Sequence, residues 1–237
     1  TVTMDGTGTL AASGRLKSNL IFNTAGTITL ANAAIEYQDG TITFTAGTIV
    51  KGTSSLRIWA SSTLNLTGMS LYNLRIEAAA TVTLSSALDI DNVFTILAAT
   101  TFSGAYDITC NDFTISASTT FSGDVIVEND LNPNTNVSVI GAFHIHLKGD
   151  FINGSGWLGY PTGGMTLIID GTGDQIINTG AATVSIEIST TIAKPSGTLY
   201  FKGNTRFNYD NTGIVLTYTP TGTEVIDTST YTSTLTV

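Results

Sequence analysis

Three aspartates recur at near-constant spacing in the middle of the chain. Asp112, Asp130 and Asp150 are separated by 18 and 20 residues. If a structural unit of that length repeats, the three carboxylates stack about 5 Å apart, the distance between neighbouring β-strands. Carboxylates so close repel one another unless their pKa values rise or a cation bridges them, and Ca²⁺ favours several oxygen ligands. The spacing therefore predicts a calcium-binding row, with a screened row of solvated bend residues as the alternative.

Two histidines flank Ile145 on a segment with strand-like alternation. Residues i and i+2 of a strand share a face, so the imidazoles of His144 and His146 are expected to be neighbours. Two imidazoles can begin a metal site, and Asp124 or Glu128 can approach them from the preceding repeat. Two surface histidines without a ligand are the alternative interpretation.

Four aromatic residues lie outside the regular apolar pattern and can face solvent: Trp59, Tyr72, Tyr106 and Tyr160. Exposed rings of this kind stack on sugars, and burial against neighbouring repeats is their alternative fate. Glycoside cleavage would in addition require two carboxylates at a defined separation beside such a surface. The sequence therefore keeps a glycan-binding surface and a carbohydrate-active site open beside a purely structural surface.

Other catalytic signatures are missing from the sequence. It has no Gly-rich phosphate loop with Lys and no Gly-x-Ser-x-Gly elbow before a helix. Asp-Gly-Thr-Gly occurs at both Asp5 and Asp170, as in aspartic proteases, but a longer repeat containing both copies explains them without chemistry. Cys110 is the only cysteine and is expected to be a small buried hydrophobic residue. We expect no enzymatic activity and no cofactor besides the calcium considered above.

Composition excludes several classes of partner. Formal net charge is −9, and the nine Lys and Arg residues are scattered singly, which argues against nucleic-acid binding. No run of 18 apolar residues is present, so membrane insertion is not expected. Only 11% of residues are charged, where about 25% is usual, and Thr, Ser, Gly and Ala supply much of the rest. Such hydroxyl-rich surfaces are common on secreted and virion proteins, which predicts an extracellular, cell-surface or virion location.

The elements that position these residues follow from internal repetition. Short apolar runs with the alternation of β-strands fill the chain, and no segment has a sustained helical stripe. The string Thr-Thr-Phe-Ser-Gly at residues 100–104 recurs at residues 119–123. Apolar residues also recur with one shared period in three columns: Leu66, Leu84, Phe102, Phe121, Val139 and Trp157 in the first; Leu71, Ile90, Ile108, Val127 and Leu147 in the second; Leu74, Phe94, Phe113, Leu131 and Phe151 in the third.

Three synchronous columns predict an all-β, single-stranded parallel β-helix, or β-solenoid. Each coil is expected to hold about 19 residues and three short strands, and successive coils to lie about 4.8 Å apart with their strands paired in parallel. Because parallel crossover connections are right-handed by default, right-handed winding is expected. β-Sandwiches do not produce three columns at one short period.

A tight bend is expected between the second and third columns. Asn92, Asn111 and Asn129 recur there, and Gly149 follows at the equivalent position. Asn and Gly tolerate the left-handed backbone conformation that such a bend needs. Stacked asparagine amides can also hydrogen-bond along the axis. We therefore expect these residues to be structural.

A second, longer repeat divides the chain. Residues 1–8 (Thr-Val-Thr-Met-Asp-Gly-Thr-Gly) match residues 166–173 at five of eight positions, and an irregular stretch at 154–164 precedes the second copy. The sequence predicts a solenoid repeat unit at 1–164 and the start of a second copy at 165–237, in one continuous stack. The ends are expected to cut through a longer array.

With these features the sequence resembles the parallel β-helices of filamentous-haemagglutinin-like adhesins, whose coils are rich in Gly, Thr, Ser and Asn. The segments 170–177 (Asp-Gly-Thr-Gly-Asp-Gln-Ile-Ile) and 194–199 (Lys-Pro-Ser-Gly-Thr-Leu) are also similar to long repetitive proteins of bacterial, archaeal and phage genomes, presumed secreted or virion-borne. The resemblance implies adhesion or scaffolding and carries over no functional residue.

The leading expectation is a non-catalytic structural or adhesive module of a larger extracellular fibre, surface adhesin or virion tail fibre. Its partners would be copies of itself joined end to end, or neighbouring repeats of a longer chain, with glycans as a further candidate. One alternative is a carbohydrate-active β-helix such as a polysaccharide lyase or phage depolymerase. Another is a glycan-binding module without cleavage. Clustered carboxylates beside exposed aromatics on one face would favour these alternatives.

Overall fold

A computed structural model describes residues 1–11, 15–30, 32, 34–152, 158–159, 164–177, 184–201, 204–207, 216–218, 225–227 and 234–236. Within these residues the chain is all-β and contains no helix. Its parallel strands stack in coils, so the predicted β-solenoid is confirmed. In this described part, no helix has the length and apolarity needed to cross a membrane.

The strands are short and follow one another closely along the chain. In the first half they are β1 (Val2–Met4), β2 (Gly8–Leu10), β3 (Arg15–Leu16), β4 (Leu20–Leu30), β5 (Ala34–Tyr37), β6 (Gly40–Val50), β7 (Ser55–Ile58), β8 (Ser62–Asn65), β9 (Ser70–Leu71), β10 (Asn73–Ile76), β11 (Ala80–Leu84), β12 (Leu88–Ile96), β13 (Thr100–Ser103) and β14 (Ile108–Ile115). In the second half they are β15 (Thr119–Thr120), β16 (Val125–Val127), β17 (Leu131–Pro133), β18 (Val137–Ile140), β19 (His144–Leu147), β20 (Leu158–Gly159), β21 (Thr166–Ile169), β22 (Gln175–Ile177), β23 (Val184–Glu187), β24 (Ser189–Ile192), β25 (Thr198–Phe201), β26 (Asn204–Phe207), β27 (Leu216–Tyr218), β28 (Val225–Asp227) and β29 (Thr234–Thr236).

Two long sheets run along the stack. The first has the order β1-β4-β6-β8-β11-β13-β15-β18-β20-β23-β26-β29, with β2 beside β4. The second has the order β27-β24-β21-β19-β16-β14-β12-β10-β7-β5-β3, with β9 beside β12 and β17 beside β14. A small sheet, β22-β25-β28, lies beside them. Neighbours in each order come from successive coils, which is the topology of a solenoid.

The predicted three strands per coil are seen most clearly in the coil formed by β15, β16 and β17. In two earlier coils the second and third strands run together through the bend as β12 and β14. Their register shifts by one residue between Ile90 and Val93, where β12 carries an extra residue. A β-bulge of this kind lets a strand turn without ending.

The core lies between the sheets and is filled by alternate residues of each strand. In β19, for example, Ile145 and Leu147 are buried, while His144 and His146 alternate with them and face outward. Phenylalanines form two stacks along the axis: Phe94 lies on Phe113 with ring centroids 4.9 Å apart, and Phe102 lies on Phe121 at 5.1 Å. These distances match the separation of neighbouring strands, so the backbone ladder and the aromatic stacks reinforce one another.

Of the three predicted columns, the third is confirmed throughout. Leu74, Phe94, Phe113, Leu131 and Phe151 pair successively in the second sheet. The column continues from Phe151 to β22. The predicted register of this part of the coil is therefore correct.

The first column is wrong by two residues at most steps. Only Phe102 and Phe121 stack as predicted, whereas Leu84 pairs with Leu64, and Val82 rather than Leu84 pairs with Phe102. Val139 likewise pairs with Thr119 rather than with Phe121. Residues i and i+2 both point inward, so a slip of two residues preserves the apolar pattern and changes only the partner. Trp157, the last residue of this column, lies outside the described residues.

The second column needs one correction. Leu71 pairs with Ile90, and Val127 pairs with Leu147, as predicted. Cys110, however, occupies the position predicted for Ile108, because Ile90 and Val127 both pair with Cys110. Cys110 is buried, which confirms its interpretation as a small hydrophobic residue.

The left-handed conformation predicted for the asparagine bend is wrong. Among the described residues, Asn32 is the only non-glycine with a positive φ. Gly149 is not in the left-handed region either; instead, a Cβ at this position would collide with the carbonyl oxygen of Asn129 in the preceding coil. The bulge and the close contact between coils, rather than positive φ, shape this bend.

The described residues after 164 continue the sheets that the earlier residues build. The two copies of the eight-residue motif lie in different sheets, since β1 belongs to the first sheet and β21 to the second. The division into residues 1–164 and 165–237 and the right-handed winding stay predictions. Residues 154–157 and 160–163, most of the predicted irregular stretch, lie outside the described part.

Candidate functional site

The three predicted aspartates form one row along the stack. Asp112 lies in β14, while Asp130 precedes β17 and Asp150 precedes Phe151 at the same place in successive coils. Asp112 Oδ1 accepts a hydrogen bond from the N–H of Asp130 at 3.2 Å, and Asp130 Oδ1 accepts one from the N–H of Asp150 at 3.2 Å. Asp150 Oδ1 accepts the N–H of Ile176 at 2.7 Å. Each carboxylate therefore fastens its own coil to the next.

Asparagine amides hydrogen-bond along the axis beside this row, as predicted, but with different partners. The amide of Asn92 donates to Oδ1 of Asn73 at 3.0 Å, and the amide of Asn129 donates to Oδ1 of Asp112 at 2.7 Å. Asn111 takes part through its backbone carbonyl, which accepts the N–H of Asn129 at 2.8 Å. The ladder is thus built from asparagine and aspartate together.

The middle carboxylate of the row has a raised pKa. Burial raises the pKa of Asp130, and the charges of Asp150 and Asp112 raise it further, while the hydrogen bond from Asp150 N–H acts in the opposite direction. Repulsion between the carboxylates is therefore part of this arrangement. Calcium binding by Asp112, Asp130 and Asp150 stays a prediction.

The two histidines lie beside a carboxylate of the preceding coil, as the sequence predicts. His144 and His146 project outward from β19, and Asp124 immediately precedes β16, the neighbouring strand. Asp124 Oδ1 accepts the backbone N–H of His144 at 2.7 Å and lies 3.2 Å from Nδ1 of its ring. One ligand atom from each of the three residues lies within 4.8 Å of the other two. Glu128, the other predicted neighbour, is instead paired with Lys148 at 2.7 Å.

Asp170, a residue singled out only as part of a protease-like motif, belongs to this cluster. It follows β21 in the coil after the histidines, and its Oδ2 lies 2.8 Å from Nδ1 of His146. Its other oxygen, Oδ1, is buried without a hydrogen-bond partner in the described residues. Asp5, the other aspartate of that motif, follows β1 in the first sheet. The spacing of Asp170 from the histidines gives no repeat signal, because Asp170 lies two residues beyond Ile168, the register partner of His146.

A shallow cleft of about 310 Å³ carries a second group of acids on the second sheet. Its lining includes Asp89, Asp91 and Glu128 and, in the described residues, no aromatic side chain. Lys51 pairs with Asp91 and donates to the hydroxyl of Ser70 at the rim. The cleft therefore supplies carboxylates without the stacking surface that sugars favour.

The predicted aromatic residues have separate environments. The ring of Trp59 is half-buried and covered by the guanidinium of Arg15, 3.8 Å from the ring centroid. Tyr72 is half-buried, whereas Tyr106 is 43% exposed. Tyr160 lies outside the described residues. Cation–π contact occupies a face of Trp59 that a sugar would need, which leaves Tyr106 as the exposed ring among the described members of this set.

A buried lysine was missed by the sequence interpretation. Lys194 is only 1% exposed, and its ammonium donates to the carbonyls of Gly171 and Gly173 and to Oε1 of Gln175, at 2.7–3.0 Å. The amide of Gln175 continues the network to the carbonyl of Gly149 at 2.6 Å. Burial lowers the pKa of Lys194, and nearby aspartates counteract this effect. The network joins three coils and is structural.

The interpretation of these sites depends on their own geometry. No protein-family model, no curated protein and no solved structure matches this chain.

Proposed function

We propose that this chain is a non-catalytic structural and adhesive β-solenoid module of a larger extracellular fibre, surface adhesin or virion tail fibre. The observation that carries the proposal is the continuous parallel ladder of the first sheet, from β1 to β29. Backbone hydrogen bonds in such a ladder run along the axis, and each coil contacts only its neighbours. A body of this kind resists extension and holds its outer faces at fixed spacing, which suits a rod or spacer.

The outer surface of the first sheet supports an extracellular role. Thr81, Thr101 and Thr120 lie in register on its outward face, and the hydroxyls of Thr83 and Ser103 are 3.0 Å apart on successive coils. A face covered by hydroxyls is wetted without carrying charge, so it offers weak polar contacts along its whole length. This character fits an adhesive surface or a virion surface.

The arrangement of charges supports protein neighbours and glycans, rather than nucleic acid, as partners. Basic side chains lie beside acids, as in the Arg15–Glu36 pair at 3.2 Å and the Arg75–Glu77 pair at 2.7 Å. In the described residues, no row of basic side chains without acidic neighbours is available to bind the phosphate backbone of a nucleic acid. In that part of the chain, β1 and β3 each have neighbours on one side only. Further coils, from another copy or from a longer chain, can extend both ladders at these edges.

Incubation of the purified chain with a panel of neutral and acidic polysaccharides tests the absence of catalysis. We expect no new reducing ends and no unsaturated products, whether or not the polysaccharide is retained. Release of oligosaccharides by the wild-type protein, and its loss in the Asp89→Asn/Asp91→Asn variant, would overturn the proposal. The Tyr106→Ala variant tests glycan retention, because it removes an exposed ring and leaves the cleft acids Asp89 and Asp91 unchanged.

The second candidate is a carbohydrate-active or glycan-binding site; the carboxylates of the acidic cleft favour its enzymatic version, although no described aromatic side chain lines that cleft. Asp89, Asp91 and Glu128 supply the clustered carboxylates that acid–base cleavage of a glycoside needs. Retention of a polysaccharide without new chain ends would support the binding version. Cleavage that depends on the cleft acids would support the enzymatic version.

A further inference from the structure

We propose that Asp124, His144 and His146 form a binding site for a divalent transition-metal ion of the Zn²⁺ class. The three side chains already bring one ligand atom each within 4.8 Å of the others. Ligands held about 2.0–2.2 Å from one zinc ion lie roughly 3.3–3.5 Å apart in a tetrahedral arrangement. Rotation of the three side chains about their χ angles would close the remaining distance when a metal binds.

The types of ligand select the class of metal. Two imidazole nitrogens and one carboxylate suit Zn²⁺, Co²⁺, Ni²⁺ or Cu²⁺, whereas Ca²⁺ and Mg²⁺ favour an all-oxygen set. His144 is exposed and the other two residues are half-buried. A metal on these three ligands would therefore keep a coordination position open to solvent, as three-ligand zinc sites do.

Asp170 is a positioning residue for His146. Its Oδ2 lies 2.8 Å from Nδ1 of the ring. A proton on Nδ1 would donate to this carboxylate and leave the lone pair of Nε2 free for a metal. The buried Oδ1 of Asp170 lacks a partner in the described structure. Positive charge on a metal-bound imidazole would stabilise that carboxylate.

The site joins successive coils of the solenoid. Asp124 leads into β16, the histidines lie on β19 and Asp170 follows β21, and these strands are neighbours in the second sheet. A metal ion bound here links two coils directly, and a third through Asp170. Such a clip couples metal binding to the stability of the stack, because the unfolded chain does not hold the ligands together.

Isothermal titration of ZnCl₂ into the metal-stripped, tag-free chain tests the site. The sequence contains only two histidines, so histidine-dependent binding reports on this site alone. We expect one Zn²⁺ per chain, with binding lost in Asp124→Asn and His144→Ala. Glu128→Gln and Asp112→Asn are matched controls expected to bind as wild type. Unchanged affinity in the His144→Ala/His146→Ala double variant, or no binding by the wild type, would overturn the proposal.

The role of Asp170 has its own signature. Asp170→Asn is expected to weaken Zn²⁺ binding about 10- to 100-fold, the range for outer-sphere partners of ligating histidines. Nitrogen-15 NMR of the metal-free variant should also show that His146 no longer favours the Nδ1–H tautomer. Weakened binding with an unchanged tautomer would contradict a positioning role. Asp174→Asn, an exposed neighbour, is the control.

Thermal unfolding supplies a second measurement that does not depend on titration heats. At a free Zn²⁺ concentration 100-fold above Kd, the unfolding midpoint should rise by about 5–10 °C for a chain of this length. The double histidine variant should keep its metal-free midpoint and show no rise. An equal rise of the unfolding midpoint in the wild type and the double variant would show that the metal binds elsewhere. No rise in the wild type would show that the metal does not link the coils.

Discussion

At the scale of single residues, Asp130 is where burial and like charge act on the same ionisable group. Its raised pKa means that ionisation is less favourable in the folded chain than in the unfolded chain. The stability that protonated Asp130 contributes is fully present below the pKa that this group has in the unfolded chain. It is lost as pH rises through the higher pKa that the group has in the folded chain. Near neutral pH the charged form therefore costs stability, and this cost would fall if a cation joined the row.

Asp130→Asn is expected to stabilise the chain near neutral pH by about 0.5 kcal/mol, the scale for solvent-screened charge interactions. The amide keeps an oxygen that can accept the N–H of Asp150 and removes the repulsion. Chemical denaturation at pH 7 and at pH 3 measures the effect, which should disappear at the lower pH.

Asp89→Asn, on the exposed face of β12, is the control for this substitution and should change little at either pH. Destabilisation by Asp130→Asn at pH 7 would show that the negative charge is required. If Asp130→Asn destabilised the chain only in buffer that contains Ca²⁺, the result would support the calcium prediction.

Lys194→Met is expected to cost about 3 kcal/mol, because it leaves buried carbonyl groups and the oxygen of Gln175 without their donor. Urea denaturation of the variant measures the loss. Lys148→Met, which breaks only an exposed pair with Glu128, should cost less than about 1 kcal/mol. Equal losses in the two variants would contradict the role assigned to the buried network.

Single residues were predictable where the repeat itself placed them. The row of Asp112, Asp130 and Asp150 and the approach of Asp124 to the histidines follow from coil spacing alone. Lys194 and Asp170 were not predictable as members of clusters, because neither lies at a position where the same residue type recurs in successive coils, and burial and side-chain direction leave no periodic signal. The calcium prediction has no such structural outcome and awaits measurement.

At the scale of the element, the third column is the most regular feature of the core. Phe94 and Phe113 stack with an interplanar angle of 8°, and Phe113 also meets Phe121 edge to face at 6.1 Å. This strand position was predicted correctly because the bend beside it fixes its phase. In the first column only the Thr-Thr-Phe-Ser-Gly repeat gives such a marker, and there Phe102 and Phe121 were placed correctly. At the other steps the two-residue slip could not be recognised from apolar residues alone.

Phe113→Asp is expected to abolish cooperative unfolding, because it places an unpaired charge in the aromatic stack. Circular dichroism melting measures this outcome. Phe113→Leu, which keeps an apolar side chain, should retain a cooperative transition with a loss of about 1.5 kcal/mol or less. A normal melting curve for Phe113→Asp would contradict the register of the third column.

Gly149→Ala is expected to destabilise the chain by about 2 kcal/mol, since its methyl group would collide with the backbone of Asn129. Gly173→Ala is the matched control: a Cβ there meets nothing within 4 Å. Denaturant titration of both variants measures the difference. A loss in Gly173→Ala equal to that in Gly149→Ala would show that intrinsic flexibility, rather than close contact between coils, explains the glycine.

At the scale of the whole molecule, the solenoid was predictable because three columns of apolar residues share one period of about 19 residues. Synchronous columns require a coil that returns to the same face, and parallel stacking is the way a single chain achieves this repeatedly. The bulge in β12 and the lysine network were not predictable, because they depend on contacts between coils. Function is one step further removed, because a rod-like fold serves adhesion, assembly and glycan processing alike.

Cryo-electron microscopy of the purified chain at near-neutral pH shows whether the molecule is a rigid, stacked body. We expect straight rods, or fibres of rods joined end to end, with an axial spacing of about 4.8 Å. Fibres would support assembly between copies, and discrete rods would support a module within a longer chain. Compact particles without this axial spacing would show that the chain does not form a stacked rod.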